Sequence, residues 1–184
     1  EVCLVGSEMC IRDSSLIKQI IKAENLDQSQ FSPKLIQSKI DHWKNKALNP
    51  NDIKSESLDN LVDEKSLSIY KIYQARLFEI NCLDFGDLLL QCINLFKVTD
   101  IHKRYSNNFK YIHVDEYQDT NAAQYKWLKL LGSHHQNVCC VGDDDQSIYS
   151  WRGAEVDNML RFEKEFENAK AVSYTHLTLP TKEE

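Results

Sequence analysis

Glycine and proline are scarce in this chain. Five glycines and three prolines among 184 residues exclude collagen-like and Gly/Pro-rich low-complexity architectures. No apolar run approaches the ~18 residues of a membrane-spanning helix, which excludes an integral helical membrane protein. Basic residues do not dominate either: 22 Lys and Arg face 28 Asp and Glu, a formal charge of −6. That balance argues against a polybasic binder, which gains affinity by neutralising many phosphates at once. A small stacking groove for single-stranded nucleic acid stays open. The six cysteines include no CxxC pair and no histidine at zinc-finger spacing, so neither a disulfide framework nor a zinc module is indicated. Cys139 and Cys140 are adjacent in an apolar run and read as buried core thiols, suited to a reducing cytoplasm. Residues 1–6 (EVCLVG) lack the basic and apolar regions of a signal peptide.

What remains is ordinary globular material, enough for one domain or one domain with a subdomain. Residues 1–14 mix Cys, Met and charges without a period, and residues 173–184 alternate briefly and stop at Pro180. Both read as appended sequence and are set aside. Residues 15–83 carry helical periodicity. Leu16, Ile17, Ile20 and Ile21 form one apolar face. Ser32-Pro33 is an N-cap with proline at the first helical position, opening a helix through Leu35, Ile36, Ile40 and Trp43. Residues 49–52 (NPND) are a turn, and Leu61, Val62, Tyr70, Tyr73, Leu77 and Ile80 continue at helical spacing. No reactive constellation is visible in this helical subdomain.

The character changes at Asp84, which can cap a helix through Leu88, Leu89, Cys92, Ile93 and Phe96. Tyr111 to Val114 is a short β-rich run. A helix from about Asn121 to Leu131 follows and stops at Gly132. Val138 to Val141 is continuously apolar, as in a parallel strand buried on both faces. A further helix is predicted over Val156 to Phe166. Strand, helix, strand and helix in that order predict an α/β fold with a parallel sheet.

Two strand ends carry the chemistry. Ligands of open parallel sheets bind beyond the carboxyl ends of the strands. Asp115 there can hold Mg²⁺, a hard cation that takes oxygen ligands, and Glu116 can accept a proton from an attacking water. Acids at strand ends are as often merely solvated. Gly142 to Gln146 ends the next strand, where Gly142 permits a tight turn or close approach and Gln146 is a neutral donor for a phosphate oxygen. Taken alone, a polar loop with an Asp capping a turn is the better explanation of that segment. Tyr149, Trp151 and Arg152 put two aromatics and a cation in one polar loop, a stacking platform for bases or a local anchor.

Residues 114–121 (VDEYQDTN) and 141–154 (VGDDDQSIYSWRGA) resemble the second and third motifs of the UvrD/Rep/PcrA group of superfamily-one DNA helicases. Residues 83–89 (LDFGDLL) resemble the segment that re-enters the first motor domain of that group, where an acid is more usual at the Gly86 position. The resemblance runs from about Ser15 to Val172. It implies a partial RecA-like P-loop NTPase core over 84–172, with an all-helical insertion subdomain over 15–83. It also implies ATP and Mg²⁺ as cofactors, single-stranded and duplex DNA as partners, and ATP-driven 3′-to-5′ translocation and unwinding, in repair or replication. By resemblance Asp115 helps hold Mg²⁺, Glu116 activates the hydrolytic water and Gln146 senses the γ-phosphate. Tyr149, Trp151 and Arg152 contact single-stranded DNA, and Gln118 and Asp119 support the site.

A P-loop needs Gly-Lys-Ser/Thr. The five glycines here are followed by Ser7, Asp87, Ser133, Asp143 and Ala154. The expectation is therefore an internal helicase fragment, inactive alone and lacking the remainder of the motor. Two rival readings are the motor of a RecB/AddA-like helicase–nuclease and a non-catalytic single-stranded DNA-binding module.

Overall fold

The structure, a computed structural model, describes residues 6–54, 56, 58–147, 162, 166 and 169–174. Its elements in chain order are α1 (Gly6–Ala23), α2 (Pro33–Asn45), α3 (Leu61–Glu79), α4 (Phe85–Leu95), α5 (Thr99–Asn108), β1 (Ile112–Val114), α6 (Ala122–Gly132) and β2 (Val138–Cys140). Short 3-10 turns at Tyr117–Asp119 and Asp144–Gln146 follow β1 and β2. The described residues are thus mostly helical, with one two-stranded parallel sheet.

Local chemistry sets most of the helix boundaries. Ser32 Oγ accepts from the Leu35 N–H at 3.2 Å with Pro33 at the first helical position. Asn60 caps α3 through the Asp63 N–H, and Asp84 caps α4 through the Asp87 N–H at 2.8 Å. At α6, Asn121 and Gln124 form a reciprocal capping box, satisfying two backbone donors that a helix start otherwise leaves open. The turn at residues 49–52 closes through the Asp52 N–H to the Asn49 carbonyl.

The first three helices pack on one core. Ile17, Ile20 and Ile21 of α1 meet Ile36, Ile40 and Trp43 of α2 and Leu67, Ile69, Tyr70, Tyr73 and Leu77 of α3. Each aliphatic side chain buried this completely contributes about 1.5–3 kcal/mol. Trp43 stacks on Tyr70 with ring centroids 5.9 Å apart. A smaller cluster of Ala47, Leu90, Ile93 and Ala123 joins the end of α2 to α4 and α6.

A buried charge network fastens the same seam. Lys44 Nζ lies 2.6 Å from Asp84 Oδ2 and 2.8 Å from Asp87 Oδ1. Tyr73 donates its hydroxyl to Asp84 Oδ2 at 3.1 Å, and Gln74 Nε2 donates to Asp87 Oδ2 at 2.9 Å. The ammonium also sits 5.6 and 5.4 Å from the Tyr70 and Tyr73 ring centroids. The Lys44 stem passes so close to Gly86 that a Cβ there would meet Lys44 Cδ at 2.7 Å. An acidic side chain at position 86 would need that space, which gives the glycine a local reason. Helical periodicity gave no hint of this network.

Several sequence expectations need correction. The first helix opens at Gly6, not Ser15, because helix propagation past a formed nucleus is favourable. Ile80 caps the end of α3 and is 56% exposed rather than on its buried face. The α5 helix was not anticipated; its ten residues bury only Ser106, so its apolar stripe is weak. Gly132 is the last residue of α6 and does not act as a left-handed stop. A Cβ there would meet Val138 Cγ2 at 2.8 Å, so the glycine lets α6 lie close to β2. The adjacent thiols are not both buried in a core: Cys139 is exposed and Cys140 half-buried. With two strands, side chains that alternate across β2 find cover on one face only. The helix predicted over Val156 to Phe166 falls mostly outside the described residues. Within it the Phe166 N–H donates to the Phe162 carbonyl, and Phe166 is buried.

Candidate nucleotide site at the strand ends

Parallel pairing brings the two chemical loops to one edge. The register Ile112↔Val138, His113↔Cys139 and Val114↔Cys140 aligns the carboxyl ends of β1 and β2. Beyond the strands the ladder continues, with the Val141 N–H donating to the Val114 carbonyl at 2.8 Å and the Tyr117 N–H to the Val141 carbonyl at 3.0 Å. Asp115 and Glu116 leave β1 at this edge, and Asp143 to Gln146 leave β2 beside them. This is where an open parallel sheet holds its ligands.

Glu116 adopts left-handed backbone angles, φ 51° and ψ 44°. For a residue with a Cβ this costs roughly 1–2 kcal/mol. The turn is held by its neighbours: the Glu116 N–H donates to Asp115 Oδ1 at 2.9 Å, and the Asp119 N–H donates to the Glu116 carbonyl at 2.9 Å. Tyr117, buried below, meets Phe162 edge-on with centroids 5.8 Å apart. Both carboxylates remain exposed.

Gln118 is the buried member, 1% exposed. Its Nε2 donates to Glu116 Oε2 at 2.6 Å, and its Oε1 accepts from the Asp143 N–H at 3.0 Å. Gly142 lies against it; a Cβ there would meet Gln118 Oε1 at 2.7 Å. The expected close approach at Gly142 is therefore made by a protein side chain. Gln146 is exposed and donates Nε2 to Asp143 Oδ2 at 2.7 Å. The structure thus brings Asp115, Glu116, Gln118, Asp143 and Gln146 together. Tyr149, Trp151 and Arg152 lie outside the described residues. Sequence reasoning gave Gln118 a supporting role but missed its link to the second loop. The one signal for it was a glycine at the start of that loop.

For a metal, Asp115 offers a hard oxygen donor at the site's rim, oriented by its bond to the Glu116 N–H. Among the described residues no group of three His, Cys, Asp or Glu is gathered to hold an ion. That donor set fits Mg²⁺, which commonly takes one or two carboxylates and leaves its other positions to water and substrate phosphates.

Two parallel strands with acids and an amide at their shared carboxyl edge form a small α/β core among mostly helical described residues. The UvrD/REP helicase N-terminal domain family matches residues 9–167, and this chain belongs to that family. The match begins inside the segment 1–14 read above as appended. Among its relatives are the "Probable DNA helicase II homolog" of Rickettsia felis, 46% identical over 158 residues, and the "DNA helicase II" of Rickettsia typhi, 47% identical over 160 residues. These alignments cover 85% and 86% of this chain and 24% of each relative. The "ATP-dependent DNA helicase PcrA" of Staphylococcus aureus is 45% identical over 159 residues, covering 86% of this chain and 22% of the relative. The chain spans about a quarter of the length of these curated relatives. No helix among the described residues is long and apolar enough to cross a membrane.

Proposed function

We propose that this chain is part of the first, RecA-like motor domain of an ATP-dependent 3′-to-5′ DNA helicase, with α1 to α3 belonging to a helical insertion subdomain. Its place is the cytoplasm, and its partners are ATP, single-stranded and duplex DNA, and the remainder of the motor. DNA repair or replication is the setting. The observation that carries the reading is the pairing of two acids with a glutamine-bearing loop at one strand edge, joined through Gln118.

In this reading Asp115 holds Mg²⁺, which supplies charge neutralisation for the phosphates when bound. Glu116 accepts a proton from the attacking water. The water oxygen bonds to the γ-phosphorus as the bond to the β–γ bridging oxygen breaks, and ADP leaves with that electron pair. Gln146 reads the γ-phosphate through a neutral amide that adds no charge to the site. Tyr149, Trp151 and Arg152 hold single-stranded DNA, Trp151 by stacking on a base. Gly-Lys-Ser/Thr does not occur in these 184 residues, so this segment alone is inactive.

The test uses the full-length helicase that contains this segment. Glu116→Gln should lower ATP turnover by ~10²–10⁴-fold, the usual worth of a general base, and keep affinity for a fluorescent ATP analogue. Retained turnover would overturn the assignment.

A further inference from the structure

Gln118 serves two partners of opposite character, and chemistry fixes which way its amide points. An ionised carboxylate only accepts hydrogen bonds and a backbone N–H only donates them. With Nε2 on Glu116 Oε2 at 2.6 Å and Oε1 on the Asp143 N–H at 3.0 Å, both ends are satisfied. Flipping the amide would set acceptor against acceptor and donor against donor. A carboxylate, an ammonium or an apolar side chain at position 118 would fail one partner or both.

The bridge has a mechanical context. Glu116 is exposed on a left-handed backbone and has three side-chain torsions, so without a tether its carboxylate would wander among rotamers. The tether comes from a buried group anchored to the other loop. From Asp143 the connection continues through its Oδ2 to Gln146 Nε2 at 2.7 Å. Gly142 makes the arrangement sterically possible, because any Cβ there would lie 2.7 Å from Gln118 Oε1.

We infer that Gln118 is a positioning residue for ATP hydrolysis, holding the Glu116 carboxylate in register with the Asp143–Gln146 loop so that displacement of that loop re-aims Glu116. This rests on the reading of Glu116 as the base. A base must lie within hydrogen-bond reach of the water it deprotonates, and the ~10–100-fold typical of outer-shell partners that orient metal-site ligands sets the scale for a residue that orients a base.

Two variants of the full-length helicase separate the halves of the bridge. Gln118→Met keeps length and apolar packing and loses both bonds. Gln118→Glu keeps an acceptor for the Asp143 N–H and sets a like charge against Glu116. With Gln118→Met, kcat should fall about 10–100-fold, while KM for ATP and affinity for a fluorescent ATP analogue hold. Hydrogen exchange at the Asp143 amide should accelerate. With Gln118→Glu, that amide should stay protected while kcat falls at least as far. If Gln118→Glu turns over ATP like the parent, the residue only braces the loop and the inference is overturned. A proportional loss of kcat and nucleotide affinity in Gln118→Met would overturn it too. Glu116→Gln run alongside reads the underlying assignment. If that variant retains turnover, the base role itself falls. If that variant loses turnover and Gln118→Glu turns over ATP like the parent, the positioning role alone falls.

Discussion

Lys44 and Asp87 form an ion pair with neither side chain exposed, Nζ to Oδ1 2.8 Å, although 43 positions separate them in sequence. Asp84 shares the same ammonium at 2.6 Å. Burying charge is expensive, and such a group persists only when its partners are complete. Lys44→Met would leave two carboxylates in the seam without their cation. We expect a loss of about 3–5 kcal/mol of local stability, the usual cost of breaking a buried pair. Native-state hydrogen exchange at the α4 amides would measure it, and unchanged protection would refute the role.

Glu116 contributes strain as well as a carboxylate. Glu116→Gly should remove a left-handed penalty, offset in part by glycine's greater freedom in the unfolded chain. In the full-length helicase that contains this segment, the expected net gain is up to about 1 kcal/mol in stability, with loss of the proposed ATP turnover. Thermal melting and an ATPase assay on the same preparation would show the trade. A variant no more stable than the parent would show that the strain is relieved elsewhere.

Two glycines should respond differently to alanine. In the full-length helicase, Gly142→Ala presses on Gln118 Oε1 and should lower the proposed ATP turnover while nucleotide affinity holds. Gly132→Ala presses on Val138 Cγ2 at 2.8 Å and should cost stability, about 1–3 kcal/mol for overpacking less up to ~1 kcal/mol of helix propensity. Its turnover per folded molecule should be unchanged. Steady-state kinetics with melting curves would distinguish the two, and identical responses would contradict the geometry.

The Cys140 thiol is pushed from an ordinary value of 9.0 up to about 12, first by burial and then by Cys139 beside it. The folded state therefore favours the neutral thiol. Below pH 9 both states keep the proton. Between about 9 and 12 the unfolded chain loses its proton first, so this group's contribution falls as pH rises. Cys140→Ala should flatten that part of the stability–pH curve, measured by melting from pH 8 upward. An unaltered slope would assign it to other groups.

Trp151→Ala should weaken single-stranded DNA binding by ~1–3 kcal/mol, the worth of one base–aromatic stack. Fluorescence anisotropy with a labelled oligonucleotide reads this directly. Unchanged affinity would remove Trp151 from the DNA contact.

Much of the fold was legible because its signals are local. Ser32-Pro33 and Asp84 each announce a helix start within four residues, and the apolar runs before Asp115 and Gly142 announce the strands. The order of those runs also gave the parallel sheet and hence the shared edge. What stayed hidden is non-local. The Lys44 network joins three helices, and the Gln118 bridge spans 25 residues between Gln118 and Asp143. Neither has a period or a motif. The exposure of Cys139 was misread because an apolar run does not reveal how many of its faces neighbours cover. The α5 helix lacked the apolar stripe that periodicity detects.

Lys44 and Asn45 are consecutive, yet they hold different elements. Lys44 grips α4, and Asn45 Oδ1 accepts from Asn121 Nδ2 at the start of α6 at 3.1 Å. The last turn of α2 is therefore a root from which the three-helix unit springs, like a cantilever clamped near one end. A load on that unit would reach α4 through Lys44 and through the Tyr73 and Gln74 bonds of α3, and through Asn45 it would reach the cap of the helix that starts just after the Glu116–Asp119 turn.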